Sequence, residues 1–228
     1  MVYGNVVLGD CLDVMKLIPA GMIDAIVTDP PFAFTGGLSN GSSANISSQF
    51  FDHWWRDVCT ELQRVVKPDG EGFIWCDWKT APSIADGFKP KTQTYDSWRV
   101  AQMIYHYREM PGQGRPFRSS VDMIAYARGP KSKGNRISAS THNHISKYWY
   151  YGKHKYHPSE KDVELCEQLI KYCSDPGDTI IDPFAGSGTV AVACIRTGRE
   201  YYCIEREETY INTMLDRIKS EEILDGSS

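Results

Sequence analysis

The chain has 228 residues, is 41% hydrophobic and carries a formal net charge of −4. That is enough apolar content to build the core of one α/β unit, and no apolar stretch approaches the ~20 residues of a membrane span. The first residues lack the basic-then-apolar pattern of a secretion signal. The seven cysteines (Cys11, Cys59, Cys76, Cys166, Cys173, Cys194 and Cys203) never form a C-x-x-C pair, which argues against disulfides and metal and for reduced, buried thiols in a cytoplasmic protein.

In chain order, residues 5–9 predict a strand and 11–18 a helix followed by Pro19 and Gly21. The apolar run over 22–28 predicts a buried strand that feeds Asp29-Pro30-Pro31-Phe32. Residues 33–46, rich in Gly, Ser and Asn, predict a mobile loop beside it. A helix over 48–66 is apolar at Phe51, Trp55, Val58, Leu62, Val65 and Val66, and is stopped by Pro68 and Gly70. A strand over 72–77 and a short helix over 80–87 follow. Residues 97–108 and 121–128 predict two further strands, joined by an irregular Gly-rich connection over 111–118. Ser159 opens a helix over 159–172, residues 179–181 form a strand, and 189–197 form a helix. A strand over 201–204 and a helix over 207–220 complete the chain, with 224–228 frayed. Strands alternating with helices at both ends predict a mostly parallel sheet covered on both faces.

The segment after the second strand has a chemistry. The exocyclic amino nitrogen of adenine or cytosine is a poor nucleophile, because its lone pair is delocalised into the ring. A site that alkylates it needs acceptors for both N–H bonds. Asp29 and the Pro30 carbonyl supply them, Pro31 fixes the backbone, and Phe32 offers a stacking face. A plain strand exit is the competing reading, since paired prolines end strands anyway.

Asp182-Pro183-Phe184-Ala185-Gly186-Ser187-Gly188-Thr189 follows a second buried strand and opens a helix. Glycines at such a turn let the backbone approach a ligand, and the helix offers free N–H groups. Position 191 is Ala, so the full dinucleotide fingerprint is absent. Glu205 ends the next strand, where an acidic residue grips a ribose hydroxyl pair.

A base-gripping motif first and a cofactor motif last resembles the beta group of DNA amino-methyltransferases. That group is a circularly permuted form of the class I methyltransferase fold, a Rossmann-like α/β architecture, and the resemblance covers nearly the whole chain. It implies one domain over 1–228, S-adenosyl-L-methionine as cofactor, and methyl transfer to the amino group of a flipped base. Adenine N6 comes first, because Asp-Pro-Pro is commonest among the adenine enzymes, and cytosine N4 is the alternative. Gly9-Asp10-Cys11 resembles the family's adenine-binding turn, with Asp10 accepting from the cofactor's amino group and the Cys11 backbone facing its ring. His157-Pro158-Ser159-Glu160-Lys161 resembles the segment that touches the methionine part, which adds His157, Ser159 and Lys161 to the cofactor set. The same resemblance lines the cofactor with Asp182, Pro183, Phe184, Ala185, Gly186, Ser187, Gly188 and Thr189, sets Glu205 and Arg206 by the ribose, and has Asp29 border cofactor and target alike. The family more often has Tyr where Phe32 stands; Phe keeps the stacking face and loses a hydroxyl.

Charge divides the chain. Residues 89–161 hold 14 Lys+Arg and 4 Asp+Glu, a net of +10 against −14 elsewhere. A basic face on an acidic scaffold suits a phosphate-backbone binder; a solvated, basic pair of loops is the bland alternative. The family carries its target-recognition region here, at about 89–157. Arg115 and Arg118, with Lys147, Tyr148, Trp149, Lys153 and Lys155, interleave cations and aromatics and are the DNA-binding candidates. A small local core under a long loop is the alternative for these aromatics, Trp149 above all. His142 and His144 lack a cysteine or acidic partner nearby, so no metal is expected. The implied partner is double-stranded DNA, with room for a homodimer and a cognate restriction enzyme. Two rivals stay open: a methyltransferase for RNA or a protein amide, and a DNA-binding protein with a dead cofactor site. The intact glycines with Asp10, Asp29 and Glu205 argue against the second.

Overall fold

The computed structural model describes residues 2–3, 5–31, 48–89, 97–108, 118–149, 156 and 160–225. The first half contributes β1 (Val2–Tyr3), β2 (Val6–Leu8), α1 (Cys11–Met15), β3 (Ile23–Thr28), α2 (Ser48–Val65), β4 (Val66–Cys76) and α3 (Ala81–Gly87). Then come β5 (Arg99–Arg108), β6 (Val121–Arg128), β7 (His144–Trp149), α4 (Val163–Cys173), β8 (Thr179–Asp182), α5 (Thr189–Thr197), β9 (Glu200–Glu205) and α6 (Glu208–Asp225).

One sheet holds all these strands, in the order β1-β2-β9-β8-β3-β4-β6-β5-β7. The run from β2 through β9, β8 and β3 to β4 is parallel throughout. Parallel neighbours need crossovers, and the helices supply them on both faces. Alternation along each strand sorts the core. Ile26, Ile74 and Ile181 pack under α1, α2 and α3 with Met15, Trp55, Leu62 and Ile84. Ala25, Val27, Phe73 and Ile180 point the other way, against Leu165, Leu169 and Ile170 of α4 and Val190 and Cys194 of α5. Residues Phe51, Trp55, Val58, Leu62 and Val65 lie at helical spacing and are all buried, so α2 is held by one apolar stripe. Each such large side chain contributes about 1.5–3 kcal/mol.

Several elements differ from the sequence expectation. β4 begins at Val66, directly after α2, and bulges over 67–70 before pairing resumes at Glu71. Gly70 makes this close approach possible: a Cβ there would lie 2.6 Å from the Asp24 carbonyl oxygen. α4 starts at Val163 and is capped by Asp162, whose side chain accepts from the Glu164 N–H at 2.9 Å, so Ser159 is not its cap. β1 and β7 were not expected. Both are edge strands; β1 is only two residues long and β7 is mixed in polarity, with Ile145 its buried anchor. α1 stops three residues early at Met15, and α6 runs on to Asp225. The loop over 33–46 and most of the connection over 111–118 lie outside the described residues.

The segment inserted between the two motifs continues the main sheet. β6 is antiparallel to β4 and to β5, and β7 lies parallel on β5.

Candidate active site

Four adjacent parallel strands deliver four acidic residues to one edge of the sheet: Asp10 just after β2, Glu205 at the end of β9, Asp182 at the end of β8, and Asp29 just after β3. The carboxyl ends of parallel strands, loops and helix N-termini converge there, and it is where open α/β sheets bind ligands. Two motifs separated by some 150 residues are thus brought side by side.

Asp10 caps α1, its carboxylate accepting from the Leu12 N–H at 2.9 Å. Cys11, the first residue of that helix, is buried, and burial followed by the neighbouring Asp10 charge pushes its thiol up to about 12. All seven cysteines are buried and free.

The 182–189 segment folds as a tight cradle. Gly186 and Gly188 have φ of +50° and +83°, which side-chain-bearing residues rarely adopt, and Gly188 forms the N-cap of α5. A Cβ on Gly188 would lie 2.3 Å from Met214 Cγ. Glu205 holds this turn. Its carboxylate accepts from the N–H groups of Gly186 (2.8 Å), Arg206 (2.8 Å) and Glu207 (2.9 Å). A carboxylate has about four acceptor sites, so one is left for a ligand hydroxyl. Arg206 itself is exposed and reaches the Glu207 carboxylate at 3.4 Å. Pro183 and Ala185 are buried, and the Ala185 N–H donates to the Ile204 carbonyl at 3.0 Å.

Asp182 is fully enclosed. Its Oδ1 accepts from Thr28 Oγ1 at 2.7 Å and from the Phe184 N–H at 3.1 Å. Burial pushes its carboxyl up to about 7, with those two donors pulling the other way. Thr28 immediately precedes Asp29, so this hydrogen bond ties the two motifs together.

Asp29 pairs with Lys161, and both side chains are largely enclosed. The Lys161 ammonium also lies 5.9 Å from the ring centroid of Trp75 on β4. Lys161 precedes α4 in a non-helical segment, and this lets it reach across the sheet edge. Sequence reasoning set Lys161 at the methionine end of the cofactor; in the structure its ammonium pairs with Asp29. Pro30 is buried and Pro31 is exposed.

Several participants were missed. Arg217 of α6, 8% exposed, donates through Nη1 to the Ser187 carbonyl and hydroxyl, both at 3.0 Å, and reaches Thr189 Oγ1 at 3.4 Å. Its other nitrogen pairs with Glu160 at 3.0 Å, and its guanidinium stacks 4.5 Å from the Tyr156 ring centroid. The buried Arg217–Glu160 pair therefore clamps the glycine turn to the segment that carries Lys161. An arginine on the apolar stripe of Ile211, Met214 and Ile218 was the available signal. Trp54 is another: its ring packs 5.5 Å from that of Phe184. It borders the apolar stripe of α2, one position before Trp55.

Phe32, Arg115, Lys153, Lys155, His157 and Ser159 lie outside the described residues, as do the side chains of Lys147, Tyr148 and Trp149, whose backbone forms β7. Arg118 is exposed just before β6. Part of the basic segment is already neutralised by acids outside it. Lys89 pairs with Asp86 at 3.0 Å, Arg136 with Asp175 at 2.9 Å, Arg128 lies 4.0 Å from Glu71, and Lys161 pairs with Asp29. The surplus of +10 is therefore not one free face.

Known proteins share this frame. The candidate methylase YubD of Escherichia coli K12 is 30% identical over 214 residues, covering 89% of this chain and 84% of its own. The DNA adenine methyltransferase YhdJ of the same organism is 27% identical over 249 residues, covering 95% and 84%. Among solved structures, the M1.HpyAVI–SAM complex superposes with a TM-score of 0.68 at 23% identity, covering 93% of this chain and 98% of that one. The cytosine-N4-specific PvuII DNA methyltransferase gives 0.71 at 18% identity, covering 97% and 92%. A DNA methylase family model of the N6/N4 type matches residues 23–216, and the chain belongs to that family.

Proposed function

We propose that this chain transfers a methyl group from S-adenosylmethionine to the exocyclic amino nitrogen of a base in duplex DNA, with adenine N6 the preferred target. The observation that carries this reading is the row of Asp10, Glu205, Asp182 and Asp29 on one sheet edge, with the glycine turn at its centre. The residues fit a nucleoside-type cofactor: the positive-φ turn leaves its backbone open to close approach, and Glu205 keeps an acceptor site for a ribose hydroxyl. Asp10, Phe184, Gly186, Ser187 and Glu205 would hold it, and when bound it supplies an electrophilic methyl group. Asp29 and the Pro30 carbonyl accept from the two N–H bonds of the target, which turns the nitrogen lone pair toward that methyl. Lys161 pairs with the Asp29 carboxylate and holds it in place beside the target. Catalysis on this account is mostly positioning.

Residues 89–157 form the target-recognition region of a single domain, and a homodimer would double the base pairs read. A cognate restriction enzyme fits the same reading. The natural setting is the cytoplasm, where seven buried thiols stay reduced. The adenine preference rests on Asp29-Pro30-Pro31 and on the likeness to YhdJ. Incubation with isotopically labelled S-adenosylmethionine and duplex DNA, followed by nucleoside chromatography, tests it. Labelled N6-methyladenine is expected. Labelled N4-methylcytosine would move the target base and keep the reaction; label in RNA but not DNA would overturn the substrate.

A further inference from the structure

β3 and β4 run parallel to the pair Thr28–Ile74, after which Asp29 leaves β3 and Asp77, Trp78 and Lys79 leave β4. The β4 exit therefore lies beside Asp29, and Lys161 links the two strands through Asp29 and Trp75. The turn is rigid. Asp77 Oδ1 accepts from the Lys79 N–H (3.0 Å), the Thr80 N–H (2.7 Å) and the Thr80 hydroxyl (2.8 Å). Thr80 itself is buried against the start of α3.

A turn this tight presents Trp78 with 72% of its surface exposed. Trp75 and Cys76 just before it are buried, so the core beneath is complete without it. The exposed Leu17 and Met22, by contrast, precede β3 at the other end of the sheet. Lys79 holds its ammonium 5.7 Å from the Trp78 ring centroid, so the aromatic face comes with a positive charge. A flat apolar face beside a cation, on a backbone that needs no further ordering, matches a nucleobase beside its phosphate.

We propose that Trp78 stacks on a DNA base beside the Asp29 end of the sheet, with Lys79 serving the adjoining phosphate. This rests on the reading of the chain as a DNA methyltransferase. Loss of one base–aromatic stack weakens binding by about 5- to 150-fold. Trp78→Ala should raise the duplex dissociation constant and the KM for DNA by that factor. Its melting temperature and affinity for S-adenosylmethionine should match the wild type. Trp78→Phe should recover most of the loss, and Lys79→Ala should lower the salt slope of binding by about one. Wild-type binding to duplex DNA with an unchanged Trp78→Ala overturns this proposal alone. A wild type that does not bind duplex DNA at all overturns the methyltransferase reading and this proposal together.

Discussion

Asp29 and Lys161 meet from positions 132 residues apart in the chain, and the proposed reaction places the target amino group on that carboxylate. Asp29→Ala removes one preorganised acceptor of the reacting amino group, and such a loss costs about 10²–10³ in rate. Turnover should fall by that factor while cofactor affinity, read by calorimetry, stays within the wild-type range; near-normal turnover would contradict the assignment. Asp182 gives a pH prediction. Burial holds its carboxyl up to about 7 in the folded protein, whereas the unfolded chain releases the same proton in the ordinary aspartate range. Between those two values the folded state binds more protons, so this group's contribution to stability is full at low pH and is lost as pH rises through 7. Asp182→Asn should remove that component from a melting-temperature series taken between about pH 4 and 8; identical slopes in both proteins would sink it. Gly188→Ala meets both a positive φ and Met214 and should cost about 1–3 kcal/mol in thermal unfolding. Gly21→Ala, with φ +68° but open space around it, should cost less. Asp29, Gly186, Gly188 and Glu205 could be found in the sequence because each sits where a strand-end motif requires that residue type. Thr28 and Glu160 could not, since their importance comes from partners far along the chain; Arg217 left one mark, a cation on the apolar stripe of α6.

At the scale of elements, α6 acts as a strut. Its Arg217 joins the glycine turn before α5 to the segment before α4. Arg217→Met leaves Glu160 buried opposite an apolar side chain, and breaking a buried pair from one side costs about 3–5 kcal/mol. The double change Arg217→Met/Glu160→Leu should recover part of that stability. Cofactor affinity should stay weakened in both variants, because Ser187 has lost its donor. Equal cofactor affinity in wild type and double variant would show that the clamp serves folding alone. The elements themselves were mostly readable. Apolar periodicity placed β3, α2, β6 and α5 within about two residues of their observed bounds. The misses share a cause: β1 and β7 are edge strands without a two-sided apolar run, and α4 is capped by Asp162 because Lys161 is drawn off toward Asp29. Neither a sheet edge nor a tertiary ion pair leaves a local mark in the sequence.

The whole molecule divides into an acidic scaffold and a basic middle segment, and charge alone suggested a single DNA-facing surface. Lys89, Arg128, Arg136 and Lys161 instead face acids of the scaffold, so the free positive charge is smaller than composition implies. Each neutralised phosphate contributes about −0.9 to the slope of log affinity against log salt. Affinity for duplex DNA should therefore fall with salt, with a slope shallower than ten unpaired cations would give. Arg118→Ala should reduce it by about one if Arg118 meets a phosphate, and should relax the methylated sequence if it meets a base. The parallel order of β2, β9, β8 and β3 is what makes one site of two distant motifs, and the central claim is that Asp29 serves the DNA while the glycine turn with Glu205 serves the cofactor. Transfer of labelled methyl from S-adenosylmethionine to duplex DNA, run on wild type and Asp29→Ala at saturating cofactor, tests this most directly. The account predicts label in DNA with the wild type and a loss of about 10²–10³ in rate with the variant. Label transferred equally by both proteins, or by neither, would contradict it.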